Sequence, residues 1–537
     1  MTQVFLDGLF LLTENLLTVL VLLGLLCFGC AKNFFPDKKG EEVFFSLASG
    51  IFLFISAILR LAYIKNLYLP PYFDSLTHYR LIRDISTGFL HLRDLLSSYY
   101  HLGYHFTVSL LTRILPAEEI DLMLIFGQMI LAALPLPVLW LTYRFTRNKT
   151  AAFFAALLAG FGWYMPAFAL NWGKYPALLG IFAFETVLLN FTSSQRKRTW
   201  LLVGVGIATL IHTRTLVLFA LLWLSWQIAE KLTGREQEAH GLSGQGIWQL
   251  SAIVSPQLFF LLGEIALIAL LAERIYRSPV LKLCLEPYLG GASIALLVFL
   301  PFAWRYFPRI LFTVLSLIAL SLLALFVPVD WLLHALPNQT LLDRPFVEML
   351  LFLPLALLGG LEFAGFQQLL REKSGENALL ERGIQIFSMI FLLLSGVFMV
   401  RQTDFYPSAC CQFFHYDDAI AFDWLEQNIP PKSKILISAE PLSVLPESAS
   451  ADFVGTDAGI WLSALLRQET FSRSYQTDFS SAETHRSLCA AGVDYIYLGS
   501  TEKSFYPAAL RQREDWYHEL LRLPRVQIFR LEGCTRE

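Results

Sequence analysis

The feature that most constrains this chain is a succession of apolar runs, each close to the length that a bilayer requires. A helix needs about 20 apolar residues to cross a hydrocarbon core of about 30 Å. Such runs recur along the first 400 residues, and 55% of the chain is hydrophobic against 16% charged. The pattern predicts a polytopic α-helical membrane protein and excludes a soluble cytosolic enzyme.

The charge balance narrows the range of partners. With 41 Lys and Arg against 44 Asp and Glu, the net charge is -3. No basic stripe with interleaved aromatic residues is present, so we expect the lipid bilayer as a partner and no nucleic acid. Residues 8–31 lack a basic segment before them and a small-residue cleavage site after them, so we interpret them as a retained span and not as a signal peptide.

Apolar windows and the Lys and Arg content of the connections together predict about twelve spans, with the N-terminus outside. Basic residues mark the inner connections, among them Lys32, Arg144 and Arg196. One loop, with Arg274, Arg277 and Lys282, breaks the positive-inside rule. The predicted spans lie near 8–31, 43–65, 119–143, 150–169, 177–193, a hairpin over 199–231, 247–272, 289–304, 309–328, 346–370 and 383–400.

Two polar regions stand outside this pattern. Residues 66–118 are too polar to cross and form a first large exoplasmic loop, in which 101–115 is expected to be an interfacial helix. Residues 1–400 thus form the membrane module and residues 401–537 a soluble exoplasmic domain. Helix-then-strand patterns repeat in the second domain and predict a small α/β fold. Its predicted elements are helices at 419–427, 484–491 and 509–521 and strands at 434–438, 495–498 and 526–531.

Cys410, Cys411, Cys489 and Cys534 fall in the same exoplasmic domain. An oxidising compartment favours two disulfides. Because adjacent cysteines rarely bridge each other, the pairing to test joins one of the first two to Cys489 and the other to Cys534. Four reduced cysteines are the equally weighted alternative.

Asp74 and His78 follow Pro70 and Pro71 directly after a span. Spaced four apart, they share one face of a helix at the membrane surface. A carboxylate there is suited to take a proton from an acceptor hydroxyl. The alternative is that Asp74 only caps the helix, since Asp is a preferred N-cap residue.

Three further outer connections carry cations. The turn Asn171 to Pro176 contains Lys174 and Tyr175, and the predicted hairpin turns at His212 and Arg214. Aromatic residues at this depth are commonly interface anchors, but a lysine at an outer turn indicates an anionic partner such as a lipid phosphate. Arginine matches phosphate oxygens with two hydrogen bonds. Arg344, in a later outer loop, is a weaker candidate of the same type.

Glutamates also fall within the predicted spans: Glu185, Glu264, Glu348 and Glu362. Ionisable groups at membrane depth are costly, and they suit a proton-coupled transporter. No inverted repeat accompanies them. Phosphate-binding Gly-Lys-Ser/Thr loops, nucleophile elbows and His-Glu-x-x-His helices are absent as well.

The layout resembles the superfamily of polytopic C-type glycosyltransferases that take a sugar from a polyprenyl-phosphate carrier at the outer face. In that family an acidic residue early in the first exoplasmic loop is the catalytic base, and Asp74 occupies this place. The run Tyr100 to Phe106 looks like the family's interfacial helix, so the resemblance implies substrate contacts for Tyr104 and His105. The turn at 171–176 is similar to the Gly-Tyr-Pro turn of prokaryotic members. A paired acidic motif and acidic metal ligands in the second outer loop are missing, so we expect no required metal and no cofactor.

The resemblance implies an inverting glycosyl transfer from a polyprenyl-phosphate-linked sugar to a glycan, lipid or protein acceptor at the exoplasmic face. Asp74 would be the general base, with His78 beside it. Lys174, Arg214 and Arg80 would neutralise the departing phosphate. A phosphate is a good enough leaving group to need no general acid. We expect a multi-pass protein of the plasma membrane with both termini exoplasmic. A transporter or flippase, or a non-catalytic scaffold of an envelope polysaccharide pathway, is the alternative.

Overall fold

The computed structural model describes residues 38–65, 67–88, 101–191, 198–240, 277–329, 340–375, 377–445 and 448–534. The predicted spans near 8–31 and 247–272, and with them Glu264, lie outside the described residues. The helices of the membrane module are α1 Lys38–Leu61, α2 Tyr72–Thr87, α3 Gly103–Ile114, α4 Glu119–Ala133, α5 Pro135–Thr146, α6 Lys149–Phe161, α7 Tyr175–Phe191, α8 Arg198–Ile211, α9 Arg214–His240, α10 Pro279–Leu285, α11 Gly291–Tyr306, α12 Pro308–Leu323, α13 Arg344–Leu350, α14 Phe352–Ser374 and α15 Ala378–Gln402.

Six helical segments of the described chain are long and apolar enough to cross a membrane, or seven if a pair bent by 85° around residues 288–292 counts as one broken span. The six are Glu42–Ile64, Glu119–Thr146, Arg214–Thr233, Pro308–Phe326, Arg344–Ser374 and Ala378–Gln402. All six coincide with predicted spans. Three more predicted spans are apolar helices shorter than a span, at Lys149–Phe161, Tyr175–Asn190 and Leu201–Ile211. Twelve full-length spans are therefore not confirmed.

The predicted span at 150–169 is wrong in its second half. Asn148 caps α6 by accepting a hydrogen bond from the Ala151 amide at 3.1 Å. The helix ends at Phe161, and a 3₁₀ helix, Ala167–Trp172, follows. Gly162 and Pro166 lie in between, and both residue types disfavour continuation of an α-helix.

The centre of the module is the long segment Arg344–Ser374. In its most apolar 18-residue stretch, 89% is buried inside the protein. Helix α14 within it packs against α5, α6 and α11. Gly360 permits the close approach, since a Cβ there would lie 2.6 Å from Thr142 and 2.9 Å from Ala155. Dispersion contacts at such short separation stabilise helix packing where no water is available to be expelled.

Contacts between connections agree with the predicted sidedness. Residues predicted at the inner face contact one another: Arg305 pairs with Glu372 and Arg309 pairs with Glu230, each at 3.1 Å. The connections predicted at the outer face meet one another as well, as the candidate site below describes. The two groups are self-consistent, which fixes the relative but not the absolute orientation of the helices.

The C-terminal part is a small α/β unit with a six-stranded mixed sheet in the order β2-β1-β4-β6-β5, with β3 also paired to β1. Strand β1 runs parallel to β3 and β4, whereas β2 and β6 are antiparallel to their neighbours. Its elements are α16 Tyr416–Asn428, β1 Lys434–Leu445, β2 Ser448–Gly455, a 3₁₀ helix Ala458–Trp461, α17 Leu462–Leu465, β3 Glu469–Ser474, α18 Ala482–Ala490, β4 Tyr495–Leu498, α19 Pro507–Arg511, β5 Tyr517–Arg522 and β6 Gln527–Leu531.

Two predictions for this unit are wrong. The helix expected at 509–521 is only the short α19, and Tyr517–Arg522 is a strand that pairs with β6. Pairing with a neighbouring strand overrides local helical preference here. The cysteines pair as Cys410 with Cys411 and Cys489 with Cys534. Cys489 lies in the last turn of α18, beside the chain that leaves β6, whereas the first two cysteines lie in the connection before α16. The expected crosswise pairing therefore does not occur.

Candidate active site

Asp74 lies in the first turn of α2. The helix begins at Tyr72 and Pro71 occupies the cap position, so the interpretation of Asp74 as an N-cap is wrong. The partial positive charge of a helix N-terminus favours a carboxylate in the first turn. Asp74 is 4% exposed, which makes it a buried acid and not a solvated surface group.

The backbone that presents Asp74 is held by the connection before α16. Tyr72 has a left-handed φ of 68°, a conformation that costs a non-glycine residue about 1–3 kcal/mol. Its amide donates a hydrogen bond to the carbonyl of Cys411 at 2.9 Å, and its ring lies 5.8 Å from that of Phe413. Burial, with Asp74 nearby, raises the pKa of the Tyr72 hydroxyl to about 12.

Lys174 faces Asp74 from a turn that packs on α2. Its Nζ lies 2.5 Å from Asp74 Oδ2, and the two side chains are 31% and 6% exposed. Gly173, with a φ of 65°, makes the approach possible, since a Cβ there would lie 2.6 Å from Ser75 Oγ. The two residues of this ion pair are 100 positions apart in the chain.

Beneath the ion pair lies a buried layer formed by His78, His105, Tyr104 and Tyr175. His78 Nδ1 lies 2.9 Å from His105 Nε2, and the Tyr104 and Tyr175 rings stack with centroids 5.6 Å apart. Burial first, and the Lys174 charge second, lower the pKa of His78 to about 3. Burial also lowers the pKa of His105 well below its usual range. Both histidines are therefore neutral near pH 7, and all four side chains are at most 1% exposed.

Two arginines extend the site away from Asp74. Arg214 Nη2 pairs with Asp343 Oδ2 at 2.6 Å, and Asp343 caps α13 by accepting from the Phe346 amide at 3.0 Å. The next residue, Arg344, pairs with Glu348 at 3.1 Å, and its guanidinium lies 5.8 Å from the Trp172 ring centroid. Trp172 precedes Gly173 and Lys174 in the chain. We call Asp74, Lys174, Arg214, Asp343 and Arg344 the Asp74 cluster.

His212 lies at the edge of this cluster. Its ring stacks on Phe346 at 5.1 Å and lies 4.2 Å from the ring of His101. Burial, His101 and Arg214 lower the pKa of His212 well below its usual range. The ring is 2% exposed, so His212 braces the turn that carries Arg214.

Arg80, two residues after His78 on α2, contacts the C-terminal domain. Its guanidinium donates to Ser463 Oγ in the C-terminal domain, and Arg83 one turn later donates to the Ala464 carbonyl at 2.8 Å. Both side chains dock α2 onto the domain. Arg80 therefore contacts Ser463 and is not one of the Asp74 cluster.

Sequence reasoning missed Tyr72, Trp172, Asp343 and the connection that carries Cys411. A signal existed for Asp343, because Asp-Arg-Pro is a helix-start pattern with the acid in the cap position. Tyr72 and Cys411 carry no such signal, since their contact joins distant parts of the chain.

Metal-ligating groups are sparse in the described part of the chain. One group of three lies in the C-terminal domain, formed by His485, Cys489 and Cys534, and its two cysteines form a disulfide. Within the described ranges, none lies at Asp74. The cation that pairs with Asp74 is Lys174.

The arrangement places a buried carboxylate next to one partly exposed ammonium. Trp172, two residues before Lys174, contacts Arg344, and the neighbouring Asp343 pairs with Arg214. Each cation has a carboxylate partner, and together with Glu348, which pairs with Arg344, the three cations of the cluster face three carboxylates. An incoming phosphate would have to displace Asp343 from Arg214 and Glu348 from Arg344. Such an exchange replaces one charge-assisted pair with another and is suited to reversible anion binding.

Comparison with known proteins gives no match to any protein-family model and none to a curated protein sequence. Two of the matching solved structures are each 12% identical to this chain. A mutant of the mycobacterial arabinofuranosyltransferase AftD has a TM-score of 0.50 over 91% of this chain and 42% of its own. The Archaeoglobus fulgidus oligosaccharyltransferase has a TM-score of 0.49 over 84% of this chain and 68% of its own. This chain spans about two fifths of the length of AftD. The resemblance to C-type glycosyltransferases is confirmed as a shared fold.

Proposed function

From this shared fold, we propose that the chain is a membrane glycosyltransferase that moves a sugar from a polyprenyl-phosphate carrier to an acceptor hydroxyl at the exoplasmic face. The observation that carries the proposal is the Asp74 cluster, in which Lys174 pairs with the buried Asp74 and Trp172, two residues before Lys174, contacts Arg344 beside the Arg214–Asp343 pair. A base and an anion site side by side are what transfer from a phosphate-linked donor requires.

In the proposed step, Asp74 removes the proton of the acceptor hydroxyl. The acceptor oxygen then forms a bond to the anomeric carbon while the bond from that carbon to the phosphate oxygen breaks, with inversion. The electron pair leaves with the polyprenyl phosphate, whose charge Lys174, Arg214 and Arg344 neutralise. His78, neutral and buried, positions α2 and the Gly173 turn, and Arg80 positions α2 against the C-terminal domain.

The test is transfer of labelled sugar from a panel of polyprenyl-phosphate donors by the purified full-length protein. Asp74→Asn keeps the shape of the side chain but removes the base, so we expect transfer to fall by about 10²-fold or more. Chelator is added in parallel, and full activity with chelator is expected because the proposed charges come from side chains. Full transfer by Asp74→Asn would refute the assignment of the base.

A transporter remains the second candidate because of Glu185. It is 0% exposed, and within the described residues neither of its carboxylate oxygens has a hydrogen-bond partner. A buried glutamate in a membrane helix is a functional candidate by default. In the same preparation, reconstituted into vesicles, loss of solute uptake in Glu185→Gln with no effect of Asp74→Asn would favour transport over transfer.

A further inference from the structure

The disulfide between Cys410 and Cys411 lies in the connection that joins the membrane module to the C-terminal domain. This connection runs from the end of α15 to the start of α16. The two cysteines are adjacent, so their bond closes a small ring that contains the peptide bond between them. The transfer step proposed above does not use this disulfide.

The bond contributes little to stability in the way that disulfides usually do. A disulfide stabilises a protein mainly because it closes a loop in the unfolded chain, and the effect grows with the length of that loop. Cys489 and Cys534 are 45 positions apart and close a long loop. Cys410 and Cys411 are one position apart and close none. A folded protein is therefore compatible with an open Cys410–Cys411 bond.

On one side, the segment around the disulfide holds the start of α2. The Cys411 carbonyl accepts a hydrogen bond from the Tyr72 amide at 2.9 Å, and the rings of Tyr72 and Phe413 lie 5.8 Å apart. Tyr72 has a left-handed φ of 68°, which a non-glycine residue keeps only where its surroundings hold it. The contacts to Cys411 and Phe413 thus help to fix the backbone two residues before Asp74.

On the other side, the same segment holds the turn that carries Lys174. The Ser408 amide donates to Asn171 Oδ1 at 2.8 Å, and Asn171 lies three residues before Lys174. The Cys411 amide donates to the Ser408 carbonyl at 3.0 Å, which closes a turn between the two contacts. Residues 408–411 therefore bridge the two elements whose side chains form the buried ion pair.

The two cysteines differ in exposure. Cys410 is exposed, whereas Cys411 is 2% exposed. Thiol–disulfide exchange requires that an attacking thiolate reaches one of the two sulfur atoms, and exposed disulfides are the ones that exchange readily. Access from solvent is therefore greater at Cys410 than at Cys411.

From these contacts we propose that Cys410–Cys411 is a thiol-exchange site that controls the geometry of the Asp74 cluster. Its reaction partner is a dithiol, such as the thiol pair of a thioredoxin-like protein. One thiolate of the dithiol attacks Cys410 Sγ, the bond between the two cysteines breaks, and Cys411 Sγ leaves with the electron pair and takes up a proton. The second thiol of the dithiol then attacks its neighbour's sulfur in the mixed disulfide, and Cys410 leaves as a thiolate and takes up a proton. The dithiol is oxidised to a disulfide, and the two cysteines are reduced to thiols.

Reduction removes the ring that restrains the peptide bond between the cysteines. The Cys411 carbonyl is then free to turn away from the Tyr72 amide, and the first turn of α2 loosens. The reduced protein is the less active form, because a small displacement of a catalytic group lowers the rate steeply. This effect on the rate rests on the proposed transfer reaction, whereas the thiol exchange does not.

The test is graded reduction of the purified full-length protein in lipid nanodiscs with dithiothreitol. Thiols are alkylated and mapped by mass spectrometry, hydrogen exchange of the first turn of α2 is followed, and transfer is assayed with polyprenyl-phosphate donors. We expect Cys410 and Cys411 to be reduced at a lower dithiothreitol concentration than Cys489 and Cys534. Over that range, exchange of the first turn should become faster and kcat should fall about tenfold or more.

Two double variants separate the two disulfides. Cys410→Ser with Cys411→Ser should behave as the reduced protein from the outset and should no longer respond to dithiothreitol. Cys489→Ser with Cys534→Ser is the matched control and should keep the full response. Should the control variant fail to fold, the mapping of the wild-type protein decides, because loss of transfer must follow alkylation of the first pair and not of the second.

Reduction of Cys489–Cys534 before Cys410–Cys411 would overturn the proposal, and so would unchanged exchange of α2 once Cys410–Cys411 is reduced. Faster exchange with no transfer in either redox state would count against the glycosyltransferase proposal alone. Asp74-dependent transfer at the same rate in both redox states would count against the thiol-exchange site alone.

Discussion

At the scale of single residues, the site is decided by burial as much as by charge. Asp74 and Lys174 form an ion pair in which the acid is almost fully covered and the lysine is about one third exposed. Removing one partner of a covered pair is costly because the other charge stays behind. The histidines below the pair are kept neutral by the same burial, which excludes them as charged participants near pH 7.

The depressed histidine pKa values predict acid lability. The pKa of His78 is about 3 in the folded protein against 6.5 for an ordinary histidine, so its contribution to stability is present above pH 6.5. It is lost as the pH falls from 6.5 towards 3. We expect the thermal unfolding temperature of the purified protein to drop between pH 7 and pH 5, and to drop less in His78→Gln. His518→Gln, at an exposed histidine, should retain the full pH dependence; equal curves for all three proteins would contradict this.

At the scale of elements, α2 is held between the membrane helices and the C-terminal domain. The Trp461 ring, in the 3₁₀ helix of the domain, lies 5.7 Å from the Tyr79 ring of α2. Ser463 and Ala464 accept hydrogen bonds from Arg80 and Arg83 on the same helix. The domain therefore fixes the helix that carries the proposed base.

Loss of the Trp461 ring should loosen α2. Trp461 is 1% exposed, and truncation of a buried tryptophan to alanine typically costs 3–5 kcal/mol. In Trp461→Ala we expect faster hydrogen exchange of the α2 amides and a lower kcat, measured on the full-length protein. Tyr506→Ala, at a 72% exposed ring of the same domain, is the control and should leave both unchanged. Unaltered exchange of α2 in Trp461→Ala would show that the domain does not support the helix.

At the scale of the whole molecule, the two opposite ends of the helix bundle differ in chemistry. One end carries the pairs Arg305 with Glu372 and Arg309 with Glu230. The other carries the Asp74 cluster and the C-terminal domain. The positive-inside rule predicts that the first end faces the cytoplasm.

That assignment can be measured with two matched cysteine variants. Glu502 is exposed on the C-terminal domain and Lys373 is exposed at the opposite end. In intact cells, a membrane-impermeant maleimide should label Glu502→Cys above the wild-type background and leave Lys373→Cys at that background. Permeabilised cells should label both. The reverse result in intact cells would place the Asp74 cluster in the cytoplasm and remove the proposed exoplasmic reaction.

The amino-acid sequence by itself predicted the six helical segments that are long and apolar enough to cross a membrane, because hydropathy acts locally. It brought forward Asp74, Lys174, Arg214 and Arg344. Only the tertiary structure decided that these four residues lie in one cluster, that Arg80 docks elsewhere, that Cys489 pairs with Cys534, and that Tyr517–Arg522 is a strand. The physical reason is common to all of these cases: ion pairs, disulfides and strand pairing depend on distances in space between residues far apart in the chain, and local patterns do not encode those distances.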